Sequence, residues 1–244
     1  MDEESVESAE GYAAHFNSSE GSNSFEIEVF GERLSLKQAP NNTSIGHGAV
    51  VWEAAICFAK YVEYGSDKNL TNSKLKGKNV LELGCGPGLG GIATMMKGSN
   101  VLFTDLRDVL AVVGEPSIMS VYRSLTTRGL GEFSDLPCPR VAPLDWTDSR
   151  GLREITEDTF DYVVACDCVF SEALIPDLIR TIKQAVTPRS LVYVVHEIRD
   201  ADANELFLRT LREDFTVKTI PVSKQHPDFV HPLVQIVQAK FRRR

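Results

Sequence analysis

Three absences limit the kinds of protein that this sequence can encode. Its 244 residues include only five cysteines, an odd number with no Cys-x-x-Cys pair, which argues against a disulfide scaffold and a zinc knuckle. No apolar run approaches the ~18–20 residues that cross a bilayer. The acidic start has neither the basic nor the apolar region of a secretory signal. These absences predict a protein with reduced thiols and no membrane partner, in the cytoplasm, with the nucleus as the alternative compartment.

Basic residues are absent from the first part of the chain. Residues 1–30 contain eight acidic residues and no Lys or Arg, which leaves 26 acidic and 26 basic residues in the rest. The Ser- and Glu-rich composition predicts a disordered acidic leader at 1–24, followed by a single domain at 25–244. Because residues 31–244 are formally neutral and have no one-sided basic run, we expect no nucleic-acid partner.

The apolar residues of the domain follow two periods. Phe25, Ile27 and Val29 alternate with polar residues, as do Leu34 and Leu36, which predicts a β-hairpin before a helix near 50–64. From Lys78 onward, short apolar strands alternate with helical patterns, and two final strands follow each other without a helix. This order predicts an α/β fold: a Rossmann-like, doubly wound seven-stranded sheet, mostly parallel with an antiparallel C-terminal hairpin, plus the short N-terminal hairpin and helix. The strands are predicted at 79–83, 101–104, 141–144, 162–165, 191–195, 215–220 and 233–239.

A glycine-rich turn provides the strongest local signal. The strand at 80–83 runs directly into Gly84-Cys85-Gly86-Pro87-Gly88, and a helix follows. Glycines permit positive φ and let the backbone approach a ligand closely. Asp105 ends the next strand, 21 residues after Gly84, where a carboxylate can accept hydrogen bonds from both ribose hydroxyls. The pattern predicts a cofactor that contains adenosine.

Two cofactors compete for this turn. Gly86, Gly88 and Gly91 satisfy G-x-G-x-x-G, which permits a nicotinamide-dependent oxidoreductase. Tyr61 has no lysine four residues on, whereas Tyr64 and Lys68 do have the Tyr-x-x-x-Lys spacing of such enzymes, so this spacing does not exclude them. Glu82, two residues before Gly84, suits the cationic amino-acid end of S-adenosylmethionine better than a pyrophosphate. S-adenosyl-L-methionine is therefore the predicted cofactor.

Four segments together resemble one family, the class I seven-β-strand methyltransferases that modify lysines of non-histone proteins. They are Val51-Trp52-Glu53, the loop at 81–92, Leu144-Asp145-Trp146, and the stretch 161–170, in which Asp167-Cys168-Val169-Phe170 matches the Asp-x-x-Tyr/Phe signature. The resemblance extends from Phe25 to the last residue. It implies cofactor contacts from Trp52, Glu82, Gly84, Cys85, Gly86, Gly88, Asp105, Asp145, Trp146 and Cys166.

The resemblance also implies catalytic roles at the end of the fourth strand. Asp167 is expected to orient the substrate amine, and Phe170 to form one wall of an aromatic slot around the lysine stem. Phe170 stands where the family also has Tyr, and Cys166 replaces an expected Ala, which leaves the number of methyl groups open. Asp145 has a second interpretation as the cap of the next helix. Cys166 and Cys168 have the wrong spacing for zinc, so we expect no metal.

The resemblance implies a protein substrate, for which the family suggests elongation factors and chaperones. We also expect the protein to be a monomer. His196 and Glu197, at the end of the fifth strand, are predicted to line the substrate channel. Three alternatives remain open from the residues alone: a methyltransferase for a small-molecule acceptor, the nicotinamide-dependent oxidoreductase, and an interaction module that keeps the pocket without transferring a methyl group.

Overall fold

The computed structural model describes residues 22–127 and 133–242, so the predicted leader lies outside the described residues except at 22–24. Strands β1 (Ser24–Val29) and β2 (Glu32–Lys37) form the predicted antiparallel hairpin, which begins one residue earlier than expected. Their alternating apolar side chains are buried on one face. A 3₁₀ segment (Thr43–Ala49) and helix α1 (Glu53–Tyr64) follow and lead into the main sheet.

Strands and helices alternate through the rest of the described chain. In order they are α2 (Asn72–Leu75), β3 (Asn79–Leu83), α3 (Leu89–Met95), β4 (Asn100–Asp105), α4 (Arg107–Val109), a π-helical segment (Leu110–Gly114), α5 (Glu115–Thr127), β5 (Arg140–Pro143), α6 (Gly151–Ile155), β6 (Phe160–Cys166), α7 (Ile175–Ala185), β7 (Val186–Glu197), α8 (Ala201–Asp214), β8 (Phe215–Thr219) and β9 (Val234–Phe241). None of the helices within 22–127 and 133–242 is long and apolar enough to span a membrane.

The seven-stranded sheet has the order β5-β4-β3-β6-β7-β9-β8. Strands β3 to β7 are parallel, whereas β9 pairs antiparallel with both β7 and β8. The predicted fold is therefore confirmed. The chain proceeds outward from β3 to β5 and then returns to add β6 on the other side of β3. This reversal opens a crevice at the carboxyl ends of β3 and β6, where open α/β sheets bind ligands.

Each face of the sheet is covered by helices. On one face, α1, α3 and α5 pack around fully buried side chains such as Phe58 and Phe103. On the other, α7 and α8 bury Leu178 and Phe207 against β6 and β7. Side chains on both faces of the central strands are buried, as the unbroken apolar runs of these strands predict.

The long helix predicted over 109–128 is interrupted. The structure has α4, the π-helical segment and α5 instead, and residue 128 lies outside the described part of the chain. Pro116, in the first turn of α5, has no N–H, so a regular hydrogen-bond ladder cannot run through this point. Gly114 also lies close to the glycine turn, where an added Cβ would come within 3.0 Å of the carbonyl oxygen of Gly86.

Candidate active site

A cavity of about 1060 Å³ occupies the crevice at the carboxyl ends of β3, β4 and β6. Its walls come from the glycine turn, the ends of β4 and β6, the loop after β5 and the segment that precedes α1. The predicted site residues that line it are Trp52, Gly84, Cys85, Gly86, Asp105, Asp145, Trp146, Cys166, Asp167 and Phe170. The structure therefore brings ten of the predicted residues together, and Glu82 and Gly88 do not line the cavity.

The glycine turn lets the backbone pack closely against the ring of Trp146. Gly84 has φ 59°, and a Cβ at this position would lie 2.7 Å from the Cys168 sulfur and 3.0 Å from the Trp146 ring. Gly88 also has positive φ, but it begins α3, and its added Cβ would lie 2.6 Å from Ile118. Gly88 therefore allows helix packing behind the cavity wall, and its predicted cofactor contact stays a prediction.

Asp105 lies at the end of β4, as predicted. Its carboxylate accepts hydrogen bonds from the backbone N–H groups of Gly86 (2.8 Å) and Leu106 (2.7 Å). Burial raises the pKa of this carboxyl, and the two N–H donors act in the opposite direction. A carboxylate can accept about four hydrogen bonds, so one held in this way keeps acceptor capacity for hydroxyl groups in the cavity.

Glu82 does not line the cavity, and its predicted contact with the cofactor stays a prediction. Its carboxylate is fully buried on the face of the sheet that α3 covers. Gly90 and Gly91 make room for it, because an added Cβ on either would lie 2.6 or 2.5 Å from its oxygens. Burial raises the pKa of Glu82 to about 8, although a backbone hydrogen bond from Gly91 lowers it in part. The carboxylate therefore lies beneath the turn and does not reach the cavity.

The two tryptophans lie on opposite walls. The Trp52 indole N–H donates to the carbonyl oxygen of His47 (2.7 Å), which links it to the 3₁₀ segment. Trp146 packs against the glycine turn, as described above. Asp145 lines the cavity and also caps a turn, accepting from the N–H (2.8 Å) and the hydroxyl (2.7 Å) of Thr147. Asp145 does not cap the next helix, however, because that helix begins after Arg150 without a side-chain cap.

Cys166 ends β6 and lines the cavity. Burial raises the pKa of its thiol well above the usual value. A thiol that stays protonated is a weak nucleophile, so the environment of Cys166 favours a contact surface over thiol chemistry.

Asp167 follows β6 in a left-handed backbone conformation, with φ 59°. Both of its carboxylate oxygens are engaged by Arg199, with Nη1–Oδ1 3.1 Å and Nη2–Oδ2 2.8 Å, and the N–H of Glu197 donates to Oδ1 (3.1 Å). Asx residues adopt the left-handed region more readily than most, although rarely without a local reason. These bonds hold Asp167 in that conformation at the edge of the cavity.

Arg199 is a residue that the sequence analysis missed. It lines the cavity, bonds to Glu197 (2.8 Å) as well as to Asp167, and lies over the Trp52 ring at 4.8 Å from its centre. One signal pointed toward such a partner: an acidic residue at the end of an apolar strand is costly to bury alone. That signal predicts a cationic partner for Asp167, but it does not identify the residue.

Two more carboxylates surround this pair. Oxygens of Glu53, Asp167 and Glu197 lie within 4.8 Å of one another. Burial, with additional repulsion from Glu197 and Asp167, raises the pKa of Glu53. The site thus combines three acidic groups with one guanidinium, and neither Glu53 nor Glu197 lines the cavity itself. Glu197 therefore supports the wall indirectly, contrary to its predicted place in a channel.

Phe170 lies at the mouth of the cavity with 46% of its surface exposed. The His47 ring, also missed by the sequence analysis, lies 5.9 Å from it and 6.2 Å from Trp52, so three aromatic rings border the opening. His196, by contrast, is completely buried and bonds to Asn204 (3.0 Å) and Gln235 (2.9 Å). The prediction that His196 lines a substrate channel is therefore wrong.

Hydrogen bonds join the two ends of the segment that carries His47. The side-chain oxygen of Gln38 accepts from the N–H of Val51 (2.8 Å), and the N–H of Ala39 donates to the carbonyl oxygen of Ala49 (2.9 Å). The segment at 40–48 is consequently a loop whose two ends are hydrogen-bonded together.

Comparison with known proteins agrees with this geometry. A family model described as lysine methyltransferase matches residues 31–214. The protein N-lysine methyltransferase METTL21A of Danio rerio is 27% identical over 212 residues, covering 87% of this chain and 88% of that protein. The EEF1A lysine methyltransferase 3 of Mus musculus is 28% identical over 181 residues, covering 74% and 68%.

Solved structures show the same fold. The 16S rRNA N2 G1207 methyltransferase RsmC of T. thermophilus, in complex with AdoMet and guanosine, matches with a TM-score of 0.52 at 15% identity over 90% of this chain. This chain spans half the length of that enzyme. The SAM-dependent methyltransferase of Agrobacterium tumefaciens matches with a TM-score of 0.55 at 12% identity, over 93% of this chain and 73% of its own. The predicted family resemblance is confirmed, and the nicotinamide alternative finds no support.

Proposed function

The chain belongs to the lysine methyltransferase family, and from that premise we propose that it methylates the ε-amine of a lysine in a non-histone protein, with S-adenosylmethionine as methyl donor. The observation that carries the proposal is the position of Asp167: an acidic side chain at the end of β6, on the edge of a cavity whose opposite end is built for a nucleoside.

The residues present fit S-adenosylmethionine. Gly86 lines the cavity with a positive φ of 50°, and the fixed carboxylate of Asp105 offers acceptors for ribose hydroxyls. Trp146 and Cys166 provide an apolar surface for the adenine and the sulfur-bearing chain, and Trp52 borders the opposite side. We therefore propose that these residues hold the cofactor, together with Gly84, Cys85 and Asp145.

When bound, the cofactor supplies a methyl group on a positively charged sulfur, and this sulfur leaves with the bonding electrons as nitrogen forms the new bond. The amine needs a free lone pair, and lysine has an ordinary pKa of about 10.4, so it must first release a proton to solvent. Partial burial in the cavity favours the neutral amine. Asp167 orients this amine, and Phe170 confines the aliphatic stem, so the protein contributes positioning and exclusion of water.

The substrate is proposed to be a protein that presents an accessible lysine, such as an elongation factor or a chaperone. Because Phe170 is exposed at the mouth of the cavity, it is placed to contact a lysine side chain of another protein that enters there. We propose that the enzyme acts as a monomer in the cytoplasm or nucleus, with residues 25–244 as one domain after an acidic leader.

Transfer of label tests the proposal. Purified protein and methyl-labelled S-adenosylmethionine are added to a lysate from cells that lack this enzyme. Asp167→Ala is run in parallel, with Asp158→Ala as the matched control, because Asp158 is an exposed aspartate that pairs with Arg140 outside the cavity. We expect one discrete labelled protein that disappears with Asp167→Ala and persists with Asp158→Ala. Label in small molecules alone, or none despite S-adenosylhomocysteine binding, would contradict the proposed substrate class.

A further inference from the structure

The carboxylate predicted to orient the substrate amine is already bound to a cation of the same chain. The Asp167 side chain is only 2% exposed, and the Arg199 guanidinium bonds to both of its oxygens. Both residues line the cavity, so an amine that approaches these oxygens competes with Arg199 for them. Because the oxygens are buried in this arrangement, the proposed role of Asp167 requires Arg199 to move when the substrate amine binds.

The electrostatics of the cluster favour a cation in this position. Glu53, Asp167 and Glu197 contribute three carboxyl groups, and Arg199 bonds to two of them. A lysine ammonium and a guanidinium differ in geometry, but both are unit cations that bond to carboxylates. The guanidinium can hence be exchanged for a lysine ammonium with little change in the net charge of the cluster.

We propose that Arg199 is a specificity-determining residue that occupies the ammonium position of the substrate on Asp167, and that the substrate lysine must displace it. This inference rests on the proposed function, because it takes the lysine amine as the acceptor. A lysine that binds as the ammonium can replace the lost ion pair, and it then releases its proton to solvent before the transfer. A neutral alcohol would leave the buried Asp167 with the N–H of Glu197 but without a cation, so this exchange selects for amines over alcohols.

Displacement requires only the side chain of Arg199 to move. The next residue, Asp200, caps α8 by accepting from the N–H groups of Asp202 (2.8 Å) and Ala203 (3.2 Å), which anchors the backbone. The Arg199 side chain itself is 37% exposed. Its guanidinium already lies over the face of Trp52, which can keep contact with the cation as it moves outward.

Arginine side-chain NMR tests the exchange without a known protein substrate. The Nε–H resonance of Arg199 is assigned by its loss in Arg199→Gln, and S-adenosylhomocysteine is present throughout. The probes are n-butylammonium, which has the length and charge of a lysine side chain, and n-butanol, which is neutral. We expect the ammonium to shift the Arg199 resonance while the alcohol does not, and the Arg140 resonance to stay in place with both. An Arg199 resonance unaffected throughout the ammonium titration would overturn the proposal.

Kinetics with the protein labelled in the lysate provides a second measurement. Arg199→Gln should lower KM for that protein by roughly three- to tenfold, the range expected for one partly exposed ion pair, with kcat largely retained. Arg199→Lys should fall between it and the wild type, and Arg140→Gln should change neither constant. A fall in kcat that Arg199→Lys restores would instead make Arg199 a fixed positioning residue. Absence of any label with the wild type would contradict the proposed function, whereas the NMR result decides the exchange independently.

Discussion

The carboxylate of Asp105 accepts a hydrogen bond from the backbone N–H of Gly86, 2.8 Å away, and so ties the end of β4 to the glycine turn after β3. One residue therefore holds the turn in place at the position where we propose that the ribose of the cofactor binds.

We predict that Asp105→Ala weakens S-adenosylhomocysteine binding by about 10- to 100-fold, as expected for the loss of hydrogen bonds to a charged group. Isothermal titration calorimetry measures the change. Asp158→Ala, which removes an exposed carboxylate far from the turn, should bind with the wild-type affinity. Equal affinities for the two variants would refute a role of Asp105 in cofactor binding.

Alanine substitutions at Gly88 and Gly77 allow the cost of backbone strain to be measured separately from the cost of a steric clash. Both have positive φ (91° and 71°), but an added Cβ on Gly88 would lie 2.6 Å from Ile118, while one on Gly77 would meet nothing within 4 Å. We expect Gly77→Ala to cost about 1 kcal/mol in the free energy of unfolding. Gly88→Ala should cost about 1–3 kcal/mol more, because the core must shift. Chemical denaturation measures the free energy of unfolding of both variants. Similar decreases would contradict the prediction, because they would show that Ile118 can move aside at little cost.

Glu82 should make stability depend on pH. Its pKa of about 8 in the folded protein exceeds the ordinary value of 4.5, so the folded state retains the proton to higher pH than the unfolded state does. The associated stability is complete below pH about 4.5 and is lost as pH rises to about 8. Glu82→Gln, which stays neutral, should therefore show a smaller fall in the melting temperature over this range, with unchanged S-adenosylhomocysteine affinity. Glu172→Gln, at an exposed position, is the control, and a fall as steep as that of the wild type would contradict the prediction.

Phe170 can be changed without disturbing the core, because it is 46% exposed. We predict that Phe170→Ala lowers kcat/KM for the labelled protein by about tenfold, since one wall of the aromatic slot is lost. Phe170→Tyr should retain activity, and mass spectrometry of the product shows whether the added hydroxyl changes the number of methyl groups. Leu233→Ala removes a similarly exposed apolar side chain. An equal effect there would indicate a general surface contribution.

The fold was predictable because its signals are local. Alternation defined the hairpin, and apolar runs separated by helical patterns defined the parallel strands. The glycine turn and Asp105 were predictable for the same reason, since each follows directly from a strand. The π-helical segment was missed because a single proline changed a pattern that otherwise indicates one helix.

The positions of other site residues were not predictable from local patterns. Glu82 was placed near the cofactor from its distance along the chain, but the sequence does not show which helix covers the face of the sheet toward which its side chain points. Arg199 was missed because its partner Asp167 is 32 residues away, and their contact exists only once β6 and β7 pair. Such groups are brought together by tertiary structure, which local patterns do not encode.

The segment at 40–48 is anchored both at its base and within its length. Gln38 and Ala39 bond to Val51 and Ala49, and Ile45 and Ala49 are buried against Val109 and Val113. Amide hydrogens at Ala39 and Val51 should therefore exchange with solvent only when a larger unit unfolds. A cofactor that enters the cavity would thus meet a wall whose position is set before it binds.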